Sequence, residues 1–470
     1  MPAESTELWA VPAARLAALI RDRDVSSVEA VEACLERIAA VNDRLNAVVA
    51  FADDAISRAL AADAQRKRGQ PLGPLHGVPF TLKDSIDTAG VVTTAGTIGW
   101  RNRVPDRDAT VAARLKAAGA ILVGKTNTPE FTWSDETDND VYGRTSNPYD
   151  LGRTPGGSSG GAAAIVAAGG SPFDIGSDTG DSIRQPAHVC GISGIKPTQG
   201  RVPRTGHWPG FEGITATLQQ LGPLARRVDD LALLLPIIAG PDGVDPHTAP
   251  VSLGDPDAVD VAALRIVAFS DNAIRTPTPD TAATVESAVA ALEAAGAHVE
   301  WRVPPGLDDA YAAWDRLIQD DGHAWLKRLI EAAGTPGWGS YDTRGWIDPK
   351  TAVGGDELSA LVEHADRVRS RLLHWFVHED GGADLIVCPA MPQPAIRHGE
   401  STAPWFGDTY SDVHNLTGWP AVVVRGGTSS DDPPLPIGVQ LVGRPWREDA
   451  ALAAARVVEA ASGGWQRPSL

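Results

Sequence analysis

Cysteine and methionine are scarce, with three and two copies in 470 residues. Cys34, Cys190 and Cys388 are odd in number, far apart and without a CxxC spacing. That argues against a disulfide framework or a zinc ribbon and fits a reducing compartment. No window approaches the roughly 20 apolar residues that a bilayer span needs. The first ten residues, MPAESTELWA, hold two acids and no uninterrupted apolar core, so they do not read as a secretory signal. A cytoplasmic protein without membrane association is the expectation. Positive charge is also in deficit: 41 Lys and Arg against 60 Asp and Glu leave a formal charge of −19. Such a surface repels the phosphate backbone and anionic lipid, which counts against a nucleic-acid partner. The eleven histidines show no HExxH or similar spacing, so neither a metal nor another cofactor is expected.

What is present is apolar material, 43% of the chain, enough for one large core or two fused ones. Ser26 followed by Glu29 has the form of a capping box, and Val31, Cys34, Leu35, Ile38 and Val41 then repeat at helical spacing. Strand-like runs are Val78–Leu82, Ala120–Val123, Leu264–Val267, His298–Trp301, Leu385–Cys388, Ala421–Val424 and Ile437–Val442. Helical texture lies between them, at Thr110–Ala118, Thr281–Ala294 and Glu448–Ala461. The alternation predicts an α/β fold around a large mixed sheet. The Trp-rich stretch 303–380 is the least regular, and its elements cannot be placed from the pattern.

Between 150 and 182 glycine, serine and alanine crowd together, yet Ala162–Ala168 is wholly apolar. Solvated linkers lack such runs, so this reads as a buried helix between glycine-rich turns. Residues 119–126, GAILVGKT, match the P-loop pattern GxxxxGK[ST]. A phosphate-cradling turn does not consist of Ala-Ile-Leu-Val, and Asn127-Thr128-Pro129 interrupts any following helix. Nucleotide binding is therefore not expected, and Lys125 reads as structural.

Three stretches carry chemistry together: GVPFTLKDSIDT (77–88), GGSSGG (156–161) and GSDTGDSIRQP (176–186). A serine hydroxyl is a weak nucleophile until a neighbouring base takes its proton. A lysine can be that base only when burial depresses its pKa, and the apolar approach to Lys83 supplies burial. Taken singly, a lysine after a strand is usually a snorkelling surface residue and Gly/Ser runs are usually loops. His76, near the lysine strand, lacks a GxSxG elbow or an Asp partner pattern and reads as structural.

Together the three stretches resemble the amidase signature family. KTNTPEF, YGRTSNPYD, PTQGRVPRTG, DLIVCPA, NLTGWPAVVV and PIGVQLVGRP resemble further family blocks, in the family's order, from about residue 25 onward. The resemblance implies a single domain over 1–470 with a large mixed twisted β-sheet covered on both faces by α-helices. Its parts would be an N-terminal helical portion (about 1–70), a catalytic core (about 71–240) and a C-terminal portion (about 260–470) with a variable segment at 303–380. It implies Ser182 as nucleophile, Ser158 as the bridge, with a cis bond from Gly157, and neutral Lys83 as base. Thr179, Gly180, Asp181 and Ser182 would form the oxyanion hole, with Asp178 and Arg184 supporting that turn. Thr132, Trp133 and Ser134 would line the acyl channel; Trp133 reads equally well as a core aromatic, and Tyr142, Trp208 and Phe211 are weaker candidates.

The chain departs from the family at Asp181, where the residue before the nucleophile is usually glycine. A fixed carboxylate beside developing negative charge opposes catalysis unless it is neutralised or turned away. Either Asp181 joins a polar network, or it meets a cationic or N–H-bearing part of the substrate. The expected protein is a monomer or homodimer acting on a small amide-like molecule: an acylamide, an anilide, a carbamate or an ester. Two alternatives stand beside this. QPAHVCGISGIKPTQGRV also resembles the glutaminase subunit of tRNA-dependent amidotransferases. The other is a non-catalytic relative acting as a binding protein.

Overall fold

The computed structural model describes residues 7–345, 352–379, 382–403, 406–407 and 409–470. Residues 1–6 of the N-terminal stretch, and 346–351 and 380 of the Trp-rich segment, lie outside the described residues.

Eleven strands are described: β1 (Val48–Phe51), β2 (Pro79–Lys83), β3 (Ile121–Thr126), β4 (Phe173–Asp178), β5 (Ser193–Lys196), β6 (Gln220–Ala225), β7 (Arg265–Ala268), β8 (His298–Trp301), β9 (Leu385–Pro389), β10 (Ala421–Thr428) and β11 (Pro436–Gly443). Eight of them form one mixed sheet in the order β4-β6-β5-β10-β11-β9-β7-β8. Its β7 pairs parallel with both β8 and β9, and its other pairs are antiparallel. A second sheet, order β1-β3-β2, has β2 parallel to β3 and β1 antiparallel to it.

The centre of the large sheet is apolar on both faces, because each strand alternates with a period of two. Val422 and Val424 of β10, Val439 and Leu441 of β11, and Leu385 and Val387 of β9 pack into one cluster. That cluster also takes residues of the helices Val228–Ile238, Pro279–Ala294 and Glu448–Ser462. The intervening Ala421, Val442, Ile386 and Cys388 face the opposite side, against the helices Leu307–Gln319 and Gly355–His378. The three cysteines are buried and free, and burial pushes the Cys34 thiol up to about 12.

The capping box forms: Ser26 Oγ accepts from the Glu29 N–H, and Glu29 accepts from the Ser26 N–H, at the start of helix Ser27–Leu45. The Gly/Ser/Ala stretch folds into the buried helix Gly160–Ala167. β3 runs three residues further than its apolar core, so the GKT triplet of the P-loop pattern lies in or at the end of a strand. Lys125 Nζ donates to the Ile86 carbonyl and to the hydroxyls of Thr88 (3.1 Å) and Thr93 (3.2 Å). The segment 303–380 holds helices Leu307–Gln319, Ala324–Ala332, Ser340–Arg344 and Gly355–His378. Leu307, Ala310, Ala313 and Leu317 bury one stripe at helical spacing, a signal that the scattered tryptophans obscure in the sequence. No helix among the described residues is long and apolar enough to cross a membrane.

Candidate active site

Lys83 ends β2, a strand buried at every position. Its Nζ lies within hydrogen-bond distance of three hydroxyls: Ser158 at 2.7 Å, Ser159 at 2.9 Å and Ser177 at 3.0 Å. Burial holds the lysine well below its usual pKa, while Asp178, Asp174 and Asp181 pull it partly back. Burial also pushes the Asp174 carboxyl up, to about 6.

Ser158 and Ser159 precede the helix Gly160–Ala167, and the Gly157–Ser158 peptide is cis. Gly157 N–H donates to Gln185 Oε1 at 2.8 Å and Ser159 N–H to the Ser182 carbonyl at 3.2 Å. Both flanks of Ser158 are thereby tied to the segment that carries Ser182. A Cβ at Gly176 would fall 2.6 Å from Ser159 Oγ, so β4 lies against the serine loop only with glycine there.

The turn from Thr179 to Ser182 leaves β4 and enters the helix Arg184–Val189. It is braced by Asp178 and Arg184, both wholly buried and joined by two contacts, at 2.8 and 3.0 Å. Arg184 also donates to the Ser411 carbonyl (2.7 Å) and Gln440 Oε1 (2.8 Å), and Asn415 Nδ2 donates to Asp178 Oδ1 (2.9 Å). Burial alone would raise Asp178, but the Arg184 charge and hydrogen bonds, with Lys196 and Asn415, leave it below the usual carboxylate range. These long-range contacts fix where Ser182 sits.

Ser182 opens into a cavity of about 210 Å³. Thr132, Trp133, Ser134, Thr179, Gly180 and Asp181 line it with Ser182, so the channel and turn residues singled out in the sequence share one space. Lys83 and Ser158, at 0% and 1% exposure, lie behind it. The Trp133 loop holds Phe131 and Thr132 at φ of 46° and 62°, a left-handed conformation that non-glycine residues rarely adopt. Phe131 is locked there by its N–H to the Ala95 carbonyl (2.7 Å) and an edge contact with Trp100. Trp133 walls the cavity and packs edge-on to Trp325 at 4.8 Å.

Tyr142, Trp208 and Phe211 are not among the lining residues, and Trp208 Nε1 instead donates to Asp87 Oδ1 at 3.1 Å. His76 Nε2 pairs with the Ala62 carbonyl at 3.0 Å, away from the serines. His207 sits 3.0 Å from Ser85 Oγ, and burial and then Lys83 push it down to about 3. It is therefore a neutral imidazole at ordinary pH.

Sequence reasoning missed Asp135, Tyr311, Trp314, Ile318, Gly407 and Asp412, which join the lining among the described residues. Tyr311, Trp314 and Ile318 share a face of the helix Leu307–Gln319, with spacings of three and four. Trp314 Nε1 donates to the Thr179 carbonyl at 3.1 Å. A Cβ at Gly180 would lie 2.7 Å from Asp412 Oδ1 and 2.8 Å from the Trp314 ring. Among the described residues no group of histidine, cysteine and acidic side chains could hold a metal ion.

A family model described as Amidase matches residues 29–452. A glutamyl-tRNA(Gln) amidotransferase subunit from Moorella thermoacetica is 38% identical over 96% of this chain and 97% of its own length. Among solved structures, a 6-aminohexanoate cyclic dimer hydrolase bound to substrate superposes with a TM-score of 0.84 at 29% identity, covering 99% of both chains. A bacterial aryl acylamidase superposes with a TM-score of 0.83 at 27% identity over 96% of each.

Proposed function

The chain belongs to the amidase signature family of carbon–nitrogen hydrolases, and on that premise we propose that Ser182 cleaves an amide through an acyl-enzyme, with Ser158 and Lys83 carrying its proton. The observation that carries this reading is Lys83 Nζ, depressed by burial and set among three serine hydroxyls directly behind the cavity that Ser182 enters. A neutral amine has two N–H bonds and one lone pair. Ser159 Oγ donates to the Ser177 carbonyl at 3.3 Å, which turns its lone pairs toward Nζ. With its two N–H bonds spent on Ser159 and Ser177, the lysine lone pair faces Ser158.

As Ser182 Oγ attacks the carbonyl, its proton passes to Ser158 and the Ser158 proton to Lys83. The turn from Thr179 to Ser182 offers backbone N–H groups to the developing oxyanion; one such donor typically contributes about 10²–10³ in rate. Collapse of the adduct breaks the C–N bond. The amine leaves with the proton that Ser158 returns from Lys83, and water repeats the cycle to free the acid. No step needs a metal or a bound cofactor.

On the substrate two readings differ. The similarity to amidotransferase subunits, at 38% identity over nearly the whole chain, favours glutamine as the amide and a multi-subunit complex as the setting. The resemblance to an aryl acylamidase structure and the aromatic walls of the cavity support small aryl or alkyl amides, anilides or carbamates cleaved by a free-standing monomer or homodimer. The comparisons weigh more on the first side. Fluorophosphonate labelling of Ser182, followed by a panel of glutamine, primary amides, anilides, carbamates and esters, tests the reaction and separates the substrates. Labelling lost in Ser182→Ala, with release of amine or ammonia, is the expected result. An unlabelled protein that turns over nothing would leave a binding role instead.

A further inference from the structure

Ser158 can pass a proton only if it stays in line between Ser182 and Lys83, yet it sits in a loop of glycines and serines, 156–160, with little stiffness of its own. What holds the loop can be read from its backbone groups. Gly157 N–H goes to Gln185 and Ser159 N–H to the Ser182 carbonyl, and Gly156 N–H donates to Thr154 Oγ1 at 3.1 Å. Two more groups, the Gly156 carbonyl and the Gly160 N–H, converge on a single hydroxyl. Thr137 Oγ1 donates to the first at 2.8 Å and accepts from the second at 3.1 Å. A hydroxyl has one proton to give and lone pairs to receive, so both bonds form at once.

Thr137 is 1% exposed and is not among the residues that line the cavity. Its own place is fixed from two sides. Thr145 N–H donates to the Thr137 carbonyl at 2.9 Å, and the preceding Glu136 accepts from the N–H groups of Gly399 and Ser401 at 2.9 and 3.1 Å. The segment 134–136 also lies backbone to backbone on the serine loop. A Cβ at Gly157 would fall 2.6 Å from the Asp135 carbonyl carbon and 2.7 Å from the Glu136 nitrogen. The Thr137 hydroxyl thus spans the loop from residue 156 to residue 160, with Ser158 midway between its two ends.

Resting on the hydrolase reading above, we propose that Thr137 is a positioning residue of the proton relay, its hydroxyl holding Ser158 in line between Ser182 and Lys83. Without that hydroxyl a buried carbonyl and a buried N–H lose their partner, and the loop must shift to satisfy them. Ser158 then moves with the loop, and proton transfer suffers steeply from a small misplacement.

The test is the rate at which a fluorophosphonate labels Ser182 in the full-length protein, resolved into the maximal rate and the half-saturating concentration. Thr137→Val keeps the side-chain shape and deletes the hydroxyl. The maximal rate should fall about ten- to a hundredfold, with the half-saturating concentration within about twofold of wild type. Thr137→Ser keeps the hydroxyl and should recover most of the rate. Should Thr137→Val fail to fold, Thr137→Ala deletes the hydroxyl without adding bulk and reads the same loss. Any amide that the protein turns over should show the same split, in kcat rather than KM. Full labelling rate in the Val or Ala variant would overturn the proposal and leave the hydrolase reading standing. A loss that Ser does not restore, or one confined to the half-saturating concentration, would overturn it too and make Thr137 a packing residue. A wild-type protein that is never labelled would sink the hydrolase reading, and the proposal with it.

Discussion

The back of the site and its front are built differently. Behind the cavity, Lys83, Ser158, Ser159 and Ser177 come from β2 and from one stretch, 158–178, rich in small residues and buried throughout. The front adds three distant places: the 132–135 loop, the helix Leu307–Gln319, and Gly407 with nearby Asp412. Small residues at the back let backbones approach until three hydroxyls reach one amine, so nearly every atom there is committed. The front holds large rings and carboxylates around an open space, so its residues can change without dismantling the back. On the proposed mechanism chemistry and selectivity would be separable, and substitutions on each side should fail in different ways.

The largest effect belongs to the back. Ser182→Ala, and separately Lys83→Ala, should lower kcat by about 10⁴–10⁶, as removing one member of a catalytic unit does. Calorimetric affinity for a substrate analogue in Ser182→Ala should stay near wild type, because the cavity walls are untouched. Loss of binding as large as the loss of rate would mean that back and front are one unit.

Next comes the brace between them. Arg184→Met leaves Asp178 ionised and buried without its main partner, and breaking such a pair costs about 3–5 kcal/mol. Chemical denaturation should show that loss. A stability change below about 1 kcal/mol would mean that Asn415 and the N–H groups of the turn suffice to hold Asp178.

This division also explains how much was readable beforehand. Lys83, Ser158 and Ser182 lie in stretches whose composition alone is unusual, and the strand–turn–helix order around them follows from apolar runs and glycines. The strands β7, β9, β10 and β11 were legible for the same reason, since the large sheet is buried on both faces there. Tyr311, Trp314 and Ile318 were not, because they belong to a helix whose buried stripe, Leu307, Ala310, Ala313 and Leu317, runs between acids and a half-buried tryptophan. Nothing local says that its other edge faces a serine more than a hundred residues away. Asp412 was hidden similarly: its importance comes from lying against Gly180, a tertiary contact.

A smaller effect separates positioning from proton transfer. Ser177→Ala removes one of two acceptors that hold the neutral lysine, and a drop in kcat of roughly tenfold is expected, the value of one net hydrogen bond. The sign of the accompanying pH change can be derived. Activity needs neutral Lys83, so kcat/KM falls as pH drops through the lysine pKa, which burial has already lowered. A hydroxyl acceptor favours the ammonium form, with its third N–H bond; removing it lowers that pKa further and moves the acid limb to lower pH. An acid limb that stays in place, with the same drop in kcat, would make Ser177 a packing residue only.

The smallest effect probes the seam. Trp314 both walls the cavity and donates from Nε1 to the Thr179 carbonyl, next to the oxyanion turn. Trp314→Phe keeps most of the wall and deletes the donor. One net hydrogen bond of about 0.5–1.5 kcal/mol corresponds to roughly two- to tenfold in rate. If Trp314 steadies the turn, the loss appears in kcat with KM nearly unchanged, because the ground-state carbonyl does not yet need the oxyanion donors. If it acts only as a wall, KM rises and kcat holds. Since the helix that carries it lies far from the serine stretches in sequence, a kcat effect would show that the front does reach the chemistry, through this one indole N–H.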